Sequence, residues 1–198
     1  MAIAMTHSHQ EVVPVTIIDD ADITDLVNSD ITACVIQAII AGIAAEPALN
    51  AWYDGKTMER CVMSDINLGL AMDTPDGLFV PVLKKVANKT AQELRNMIDT
   101  FKTTVRARTV APSDLQGASI TLSNFGMIAG RYATPIIVPP MVAILGCGRM
   151  RDEPRVHNGK IEIRKVLPLS LTFDHRAVTG GEATRFLGAV IKKLENMG

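Results

Sequence analysis

Hydrophobic and polar positions in this chain switch between two periods, most sharply over residues 167–194. Leu167, Leu169, Leu171 and Phe173 alternate with Pro168, Ser170 and Thr172, the period of a half-buried strand. Gly180 and Gly181 break that pattern. From Ala183 onward, Phe186, Leu187, Val190, Ile191 and Leu194 fall on one helical stripe. Thr179, followed three residues later by Glu182, has the capping-box spacing and predicts the helix start. His175 therefore sits at a strand end just before a turn, where a side chain can face a cleft.

The same reading sets out the rest of the chain. Residues 12–18 read as a strand, with Pro14 pointing to a sheet edge. Asp19, Asp20 and Asp22 lack the glycine and distal glutamate of a calcium loop and read as a strand-end turn. Ser29 or Asp30 caps a helix over 31–45 that is apolar almost all round, hence central and buried, and Pro47 ends it. Asp54-Gly55 marks a hairpin, and residues 61–72 hold one or two strands. Residues 73–82 are a turn followed by a strand. Thr90 and Glu93 form a second capping box, opening a helix with Leu94, Met97, Ile98, Phe101 and Val105 on one face. Ser113 with Gln116 suggests a further capped turn. Strands follow at 118–126 and 141–146, separated by a proline-rich loop, and a hairpin turns at Asn158-Gly159. Residues 1–10 are short and polar and read as a solvated or frayed segment. Mixed strands and helices of this kind indicate an α/β or α+β fold in one domain over 1–198.

Composition narrows the function classes. Apolar residues make up 47% of the chain but aromatics only 4%, so small aliphatics supply the core. Mean hydropathy is +0.20 without a run long enough to span a bilayer, which suggests apolar surface shared between subunits. No signal-peptide pattern opens the chain. Net charge is −1 with no block of like charges, which argues against nucleic acid as the main partner. Cys34, Cys61 and Cys147 are too widely spaced for a disulfide framework or a metal site and fit a reducing cytoplasm. His7 and His9 have no third ligand nearby, so no metal is expected. Cys147 stands between two glycines with no histidine near in sequence and reads as a buried small residue rather than a nucleophile. His157, beside the Asn-Gly turn, reads as exposed rather than functional.

Two residues carry candidate chemistry. An imidazole with an unperturbed pKa of about 6.5 can take and return a proton near neutrality, although a lone histidine is more often structural. Ser123 at a strand end is, taken alone, a turn former.

The run 174–180 resembles the His-x-x-x-Asp-Gly pattern of the dihydrolipoamide acyltransferases, the core components of the 2-oxo acid dehydrogenase complexes, pyruvate dehydrogenase among them. Condensation domains carry a similar pattern, but the phrases at 73–83, 121–126, 135–146 and 169–176 are similar to the same acyltransferase family. The resemblance implies a chloramphenicol acetyltransferase-like mixed sheet flanked by helices. It implies acyl transfer between a dihydrolipoyl arm and coenzyme A, with His175 as general base and Ser123 as the hydroxyl that stabilises the oxyanion. It further implies a homotrimer, with base and serine meeting across a subunit interface, assembled into a larger core beside decarboxylase and dihydrolipoamide dehydrogenase components. Thr179 stands where the family has Asp or Asn; threonine keeps the helix-capping role but loses the charge. Asp174 and Arg176, flanking the histidine, read as a structural ion pair. The family's lipoyl and subunit-binding segments are absent, so the chain is expected to be a catalytic domain that starts inside a longer protein. Two other readings stay open: a scaffold-only core protein, and another CoA-dependent acetyltransferase or condensation enzyme of the same fold.

Overall fold

The computed structural model describes residues 2–75 and 77–197; Met1, Gly198 and Asp76 of the expected 73–82 turn lie outside the described residues. The chain order is α1 (Ala2–Glu11), β1 (Pro14–Asp22), α2 (Ile31–Ala45), β2 (Ala51–Asp54), β3 (Glu59–Val62), β4 (Leu68–Thr74), β5 (Gly77–Phe79) and β6 (Val82–Leu83). It continues with α3 (Ala91–Arg106), β7 (Ile120–Asn124), β8 (Ala143–Cys147), β9 (Arg151–His157), β10 (Lys160–Asp174) and α4 (Gly180–Glu195). Among the described residues the main sheet runs β1-β10-β8-β7-β4-β5, with β6 on β4 and β9 on β10. Its β8-β7-β4 centre is parallel and the other pairings are antiparallel. β2 and β3 form a separate two-stranded ribbon. This is the mixed sheet with flanking helices that the family resemblance implies.

Local chemistry places the helix starts. Asp30 accepts from the Ala33 N–H at 3.2 Å and caps α2. Thr90 and Thr179 close the two capping boxes, each exchanging bonds with the glutamate three residues on. The 112–115 turn opens without a side-chain cap, so Ser113 does not act as one. Pro14 lies on the edge strand β1, where its missing N–H costs no ladder bond.

α2, α3 and α4 share one core with the inward side chains of the sheet, including Leu169, Leu171, Phe173, Phe186 and Ile39. Burying each of these large side chains stabilises the fold by roughly 2–3 kcal/mol. Residues 166–174 of β10 are buried on both faces, not one. The second face, with Ser170 and Thr172, lies under α1 and the 130–140 loop. Ala133 N–H donates to Ser170 Oγ at 3.3 Å.

Two further expectations are corrected. Residues 2–11 are a helix docked on the body rather than a frayed segment: Ser8 is buried and donates to the Ile137 carbonyl at 2.5 Å. The acidic run 19–22 belongs to β1 itself rather than to a turn. Asp20 accepts from Arg151 (3.1 Å), Arg155 (2.8 Å) and Tyr132 (3.2 Å), and Asp22 from Arg164 (2.7 Å). The β9–β10 ribbon thus turns its charged face toward β1 and leaves Val156, Ile161 and Ile163 exposed on the other.

Helix α2 approaches α4 so closely at Gly42 that an added Cβ would stand 2.8 Å from both Phe186 Cε2 and Val190 Cγ2. Gly42→Ala gains about 1 kcal/mol of helix propensity, but overpacking a closed core costs about 1–3 kcal/mol. The fully buried Phe186 ring has nowhere to retreat. A net loss of stability in urea denaturation is expected; a more stable variant would refute this packing.

Candidate active site

β10 delivers His175. The strand is hydrogen-bonded on both sides up to Asp174, and the chain then turns sharply: Ala177 and Val178 N–H both donate to the Asp174 carbonyl, at 3.0 and 2.9 Å. His175 N–H donates to Val13 O at 2.9 Å, which fixes its backbone. The imidazole is exposed, lies 5.6 Å from the Phe173 ring, and makes no hydrogen bond among the described residues. Its nitrogens are free to meet a ligand.

The expected Asp174–Arg176 pair is present. Asp174 is buried, and Arg176 reaches it from both Nε (3.1 Å) and Nη2 (2.7 Å), also donating to the Glu11 carbonyl. The Arg176 guanidinium lies 4.8 Å from the centre of the Tyr53 ring. His175 opens on a cleft of about 290 Å³ lined by Tyr53, Met58, Arg60, Thr179 and Glu182 among others.

Thr179 lines the same cleft, but its hydroxyl is occupied. It accepts from Glu182 N–H (3.2 Å) and donates to Glu182 Oε2 (2.8 Å), while its own N–H donates to that oxygen at 2.7 Å. The Thr179 N–H beside Glu182 holds its carboxyl below the ordinary 4.5, outweighing the upward push of partial burial, and the Thr179 hydroxyl and Arg60 add to the effect.

Ser123 is elsewhere. It is half-buried in β7 and lines a mainly apolar cavity of about 450 Å³ with Ala71, Val80, Thr121, Met141 and Ile144. The register sets its distance from the histidine: Ser123 faces Gly146, and Gly146 faces Ser170, five residues before His175. Five residues of about 3.3 Å and two strand spacings of about 4.8 Å separate the two α-carbons by on the order of 19 Å. One chain thus unites His175 with Thr179 but not with Ser123. Tyr53 on β2, Met58 in the turn after it and Arg60 on β3 were not singled out in the sequence, where no motif marks them.

The other candidates fall away. Cys147 is fully buried, which pushes its thiol up to about 12. His157 is half-buried at the ribbon turn. No group of three or more potential metal ligands occurs among the described residues, and no described helix is long and apolar enough to cross a membrane.

A mixed sheet flanked by helices is also the fold of a chloramphenicol acetyltransferase. Such an enzyme superposes with a TM-score of 0.60 at 14% identity, covering 97% of this chain and 94% of its own, a likeness of fold alone. The family is narrower. The 2-oxoacid dehydrogenases acyltransferase (catalytic domain) model matches residues 1–198, and the chain belongs to that family. It is 36% identical over 211 residues to the dihydrolipoyllysine-residue acetyltransferase component of the pyruvate dehydrogenase complex of Bacillus subtilis, covering 99% of this chain and 48% of the relative. The Mycoplasma capricolum component is 34% identical over 199 residues, covering 93% and 45%. The chain spans about half the length of these relatives. A solved Azotobacter vinelandii dihydrolipoamide acetyltransferase matches with a TM-score of 0.92 at 31% identity (99% of this chain, 87% of that one). A probable acetyltransferase from Listeria monocytogenes gives 0.94 at 25% (100% and 90%).

Replacing Thr179 by Ala should cost about 1 kcal/mol through the lost cap, whereas Thr179→Asp should retain stability. Because Glu182 ionises more readily in the folded chain, its contribution is present above pH 4.5 and is lost as pH falls through the lowered folded value. Denaturation between about pH 5 and pH 3 should therefore show a shallower acid loss in Glu182→Gln than in the parent. An unchanged slope would show that the cap carries no such linkage. In a native thiol titration the exposed Cys61 should react at once and Cys147 only on unfolding; rapid Cys147 labelling would contradict its burial.

Proposed function

We propose that this domain transfers an acyl group between a dihydrolipoyl thiol and coenzyme A, with acetyl as the group, in the core of a pyruvate dehydrogenase complex. One observation carries the residue assignment. The Azotobacter vinelandii enzyme is described through a serine, a histidine and an asparagine in its catalytic mechanism, spaced 52 and four residues apart. Ser123, His175 and Thr179 stand at the same separations. The free imidazole at the end of a rigid strand supports the role of base. The named relatives support acetyl transfer.

The chemistry asks for little. A thiol of pKa about 8.5 giving its proton to an imidazole of about 6.5 is uphill by roughly 3 kcal/mol before any tuning by the site. General-base catalysis can absorb that. His175 takes the proton of the attacking thiol and returns it to the departing sulfur. Ser123 donates a hydrogen bond to the oxygen that gains charge in between. Thr179 shapes the turn behind the base.

The roughly 19 Å between His175 and Ser123 favours a site completed by a second copy. A homotrimer supplies that arrangement, and a related structure is the cubic core of the pyruvate dehydrogenase multienzyme complex. The lipoyl arm then comes from outside residues 1–198, with decarboxylase and dihydrolipoamide dehydrogenase as cytoplasmic partners.

His175→Ala should lower transfer between acetyl-CoA and dihydrolipoamide by about 10²–10⁴-fold, and Ser123→Ala by about 10²–10³-fold. Assembled together from a denatured mixture, the two inactive chains should recover about a quarter of parental activity, because shared interfaces pair an intact histidine with an intact serine. No recovery from well-formed mixed oligomers would place both residues within one protomer's site. A parent no faster than His175→Ala would leave only the scaffold reading.

A further inference from the structure

The turn after His175 is tied to the rest of the molecule at its downstream end by a residue from a distant strand. Arg60, on β3, donates from Nη1 to the Ala177 carbonyl at 2.6 Å. The same nitrogen stands 3.3 Å from Glu182 Oε1. Glu182 Oε2 is already held by the Thr179 N–H and hydroxyl. One carboxylate therefore joins the helix cap to Arg60, and one guanidinium joins that cap to the carbonyl two residues beyond the base. Tyr53, on the neighbouring β2, carries the Arg176 guanidinium on its ring face. The β2–β3 ribbon thus grips the His175 turn at both flanks.

Thr179 explains why such a grip matters. Its hydroxyl caps the helix but brings no charge, and Glu182 is the carboxylate that lines the His175 cleft. Arg60 and Glu182 are both partly sheltered, their side chains 33% and 19% exposed, so the pair is less screened than a fully exposed one. Charge-assisted bonds to a carbonyl and a carboxylate fix direction as well as distance.

We propose that Arg60 is a positioning residue: by holding the Ala177 carbonyl and Glu182 together, it sets the orientation of the turn from which His175 acts. The proposal rests on the acyl-transfer reading above. Within the chain Arg60 bonds to the turn and to Glu182, not to the imidazole. Its work is to keep the base aimed, and small misplacements of a catalytic group cost up to about 100-fold in rate.

The test compares Arg60→Met and Arg60→Lys with the parent in full assembled form. Arg60→Met should lower kcat about 10- to 100-fold, with KM for acetyl-CoA and for dihydrolipoamide within about twofold. Melting temperature and assembly size should be unchanged, and Arg60→Lys should recover part of kcat. Amide hydrogen exchange provides a readout independent of turnover: residues 176–179 should exchange faster in Arg60→Met, while the middle of α4 stays protected. The effects of Arg60→Met and Glu182→Gln on kcat should be less than additive. An unchanged kcat, a loss confined to KM, or a loss seen only with a lower melting temperature or a dissociated oligomer overturns the positioning role. An inactive parent overturns the acyl-transfer reading and the catalytic meaning of Arg60 with it. The exchange data then still report whether the tie exists.

Discussion

The structure depends on a single long strand being held immobile. β10 runs from Lys160 to Asp174 and pairs with β9, then with β1 and β8, so its backbone is restrained on both sides along its buried half. Its buried half has core on one face and the 130–140 loop with α1 on the other. A residue at the end of such a strand inherits its rigidity. His175 needs no buried hydrogen-bond partner of its own to be held in place, and its ring nitrogens stay available.

Elements coded by adjacent residues were legible in the chain. Helix starts depend on a side chain reaching two or three residues along: Thr90 and Thr179 cap where spacing predicts, and of Ser29 and Asp30 it is Asp30 that caps α2. Hairpins at 55 and 158–159 follow from turn residues for the same reason. What escaped depends on distant partners. The acidic run of β1 looks like a turn until Arg151, Arg155 and Arg164 arrive from more than a hundred residues away. Helix α1 lacks a clean apolar stripe; it is held by the Ser8 hydroxyl, by Arg176 donating to the Glu11 carbonyl, and by the small cluster that Val12, just after it, forms with Ile137.

The candidate site divides along the same line. His175 at a strand end and Thr179 at a helix cap are local facts, and both stand where the alternation puts them. The gap between His175 and Ser123 is not local, because it depends on β8 lying between β10 and β7. Arg60 gave no signal, since a lone arginine on a short exposed strand acquires meaning only from the carbonyl it meets.

The face of the sheet beneath the 130–140 loop carries Gly146, Ser170 and Thr172 beside Ile144, which packs on Ile137 of the loop. Gly146 would, with a Cβ, press to 3.0 Å from Phe125 and 3.6 Å from Pro135, and Ala71 and Ser123 lie on the adjoining strands. Where Phe125 and Pro135 press on Gly146 the sheet has no room for a side chain, whereas the cavity beside Ser123 is walled by Val80, Met141 and Ile144. A methyl group added at Gly146 would meet the covering loop at Pro135, which also lines that cavity, and so would reshape it from outside.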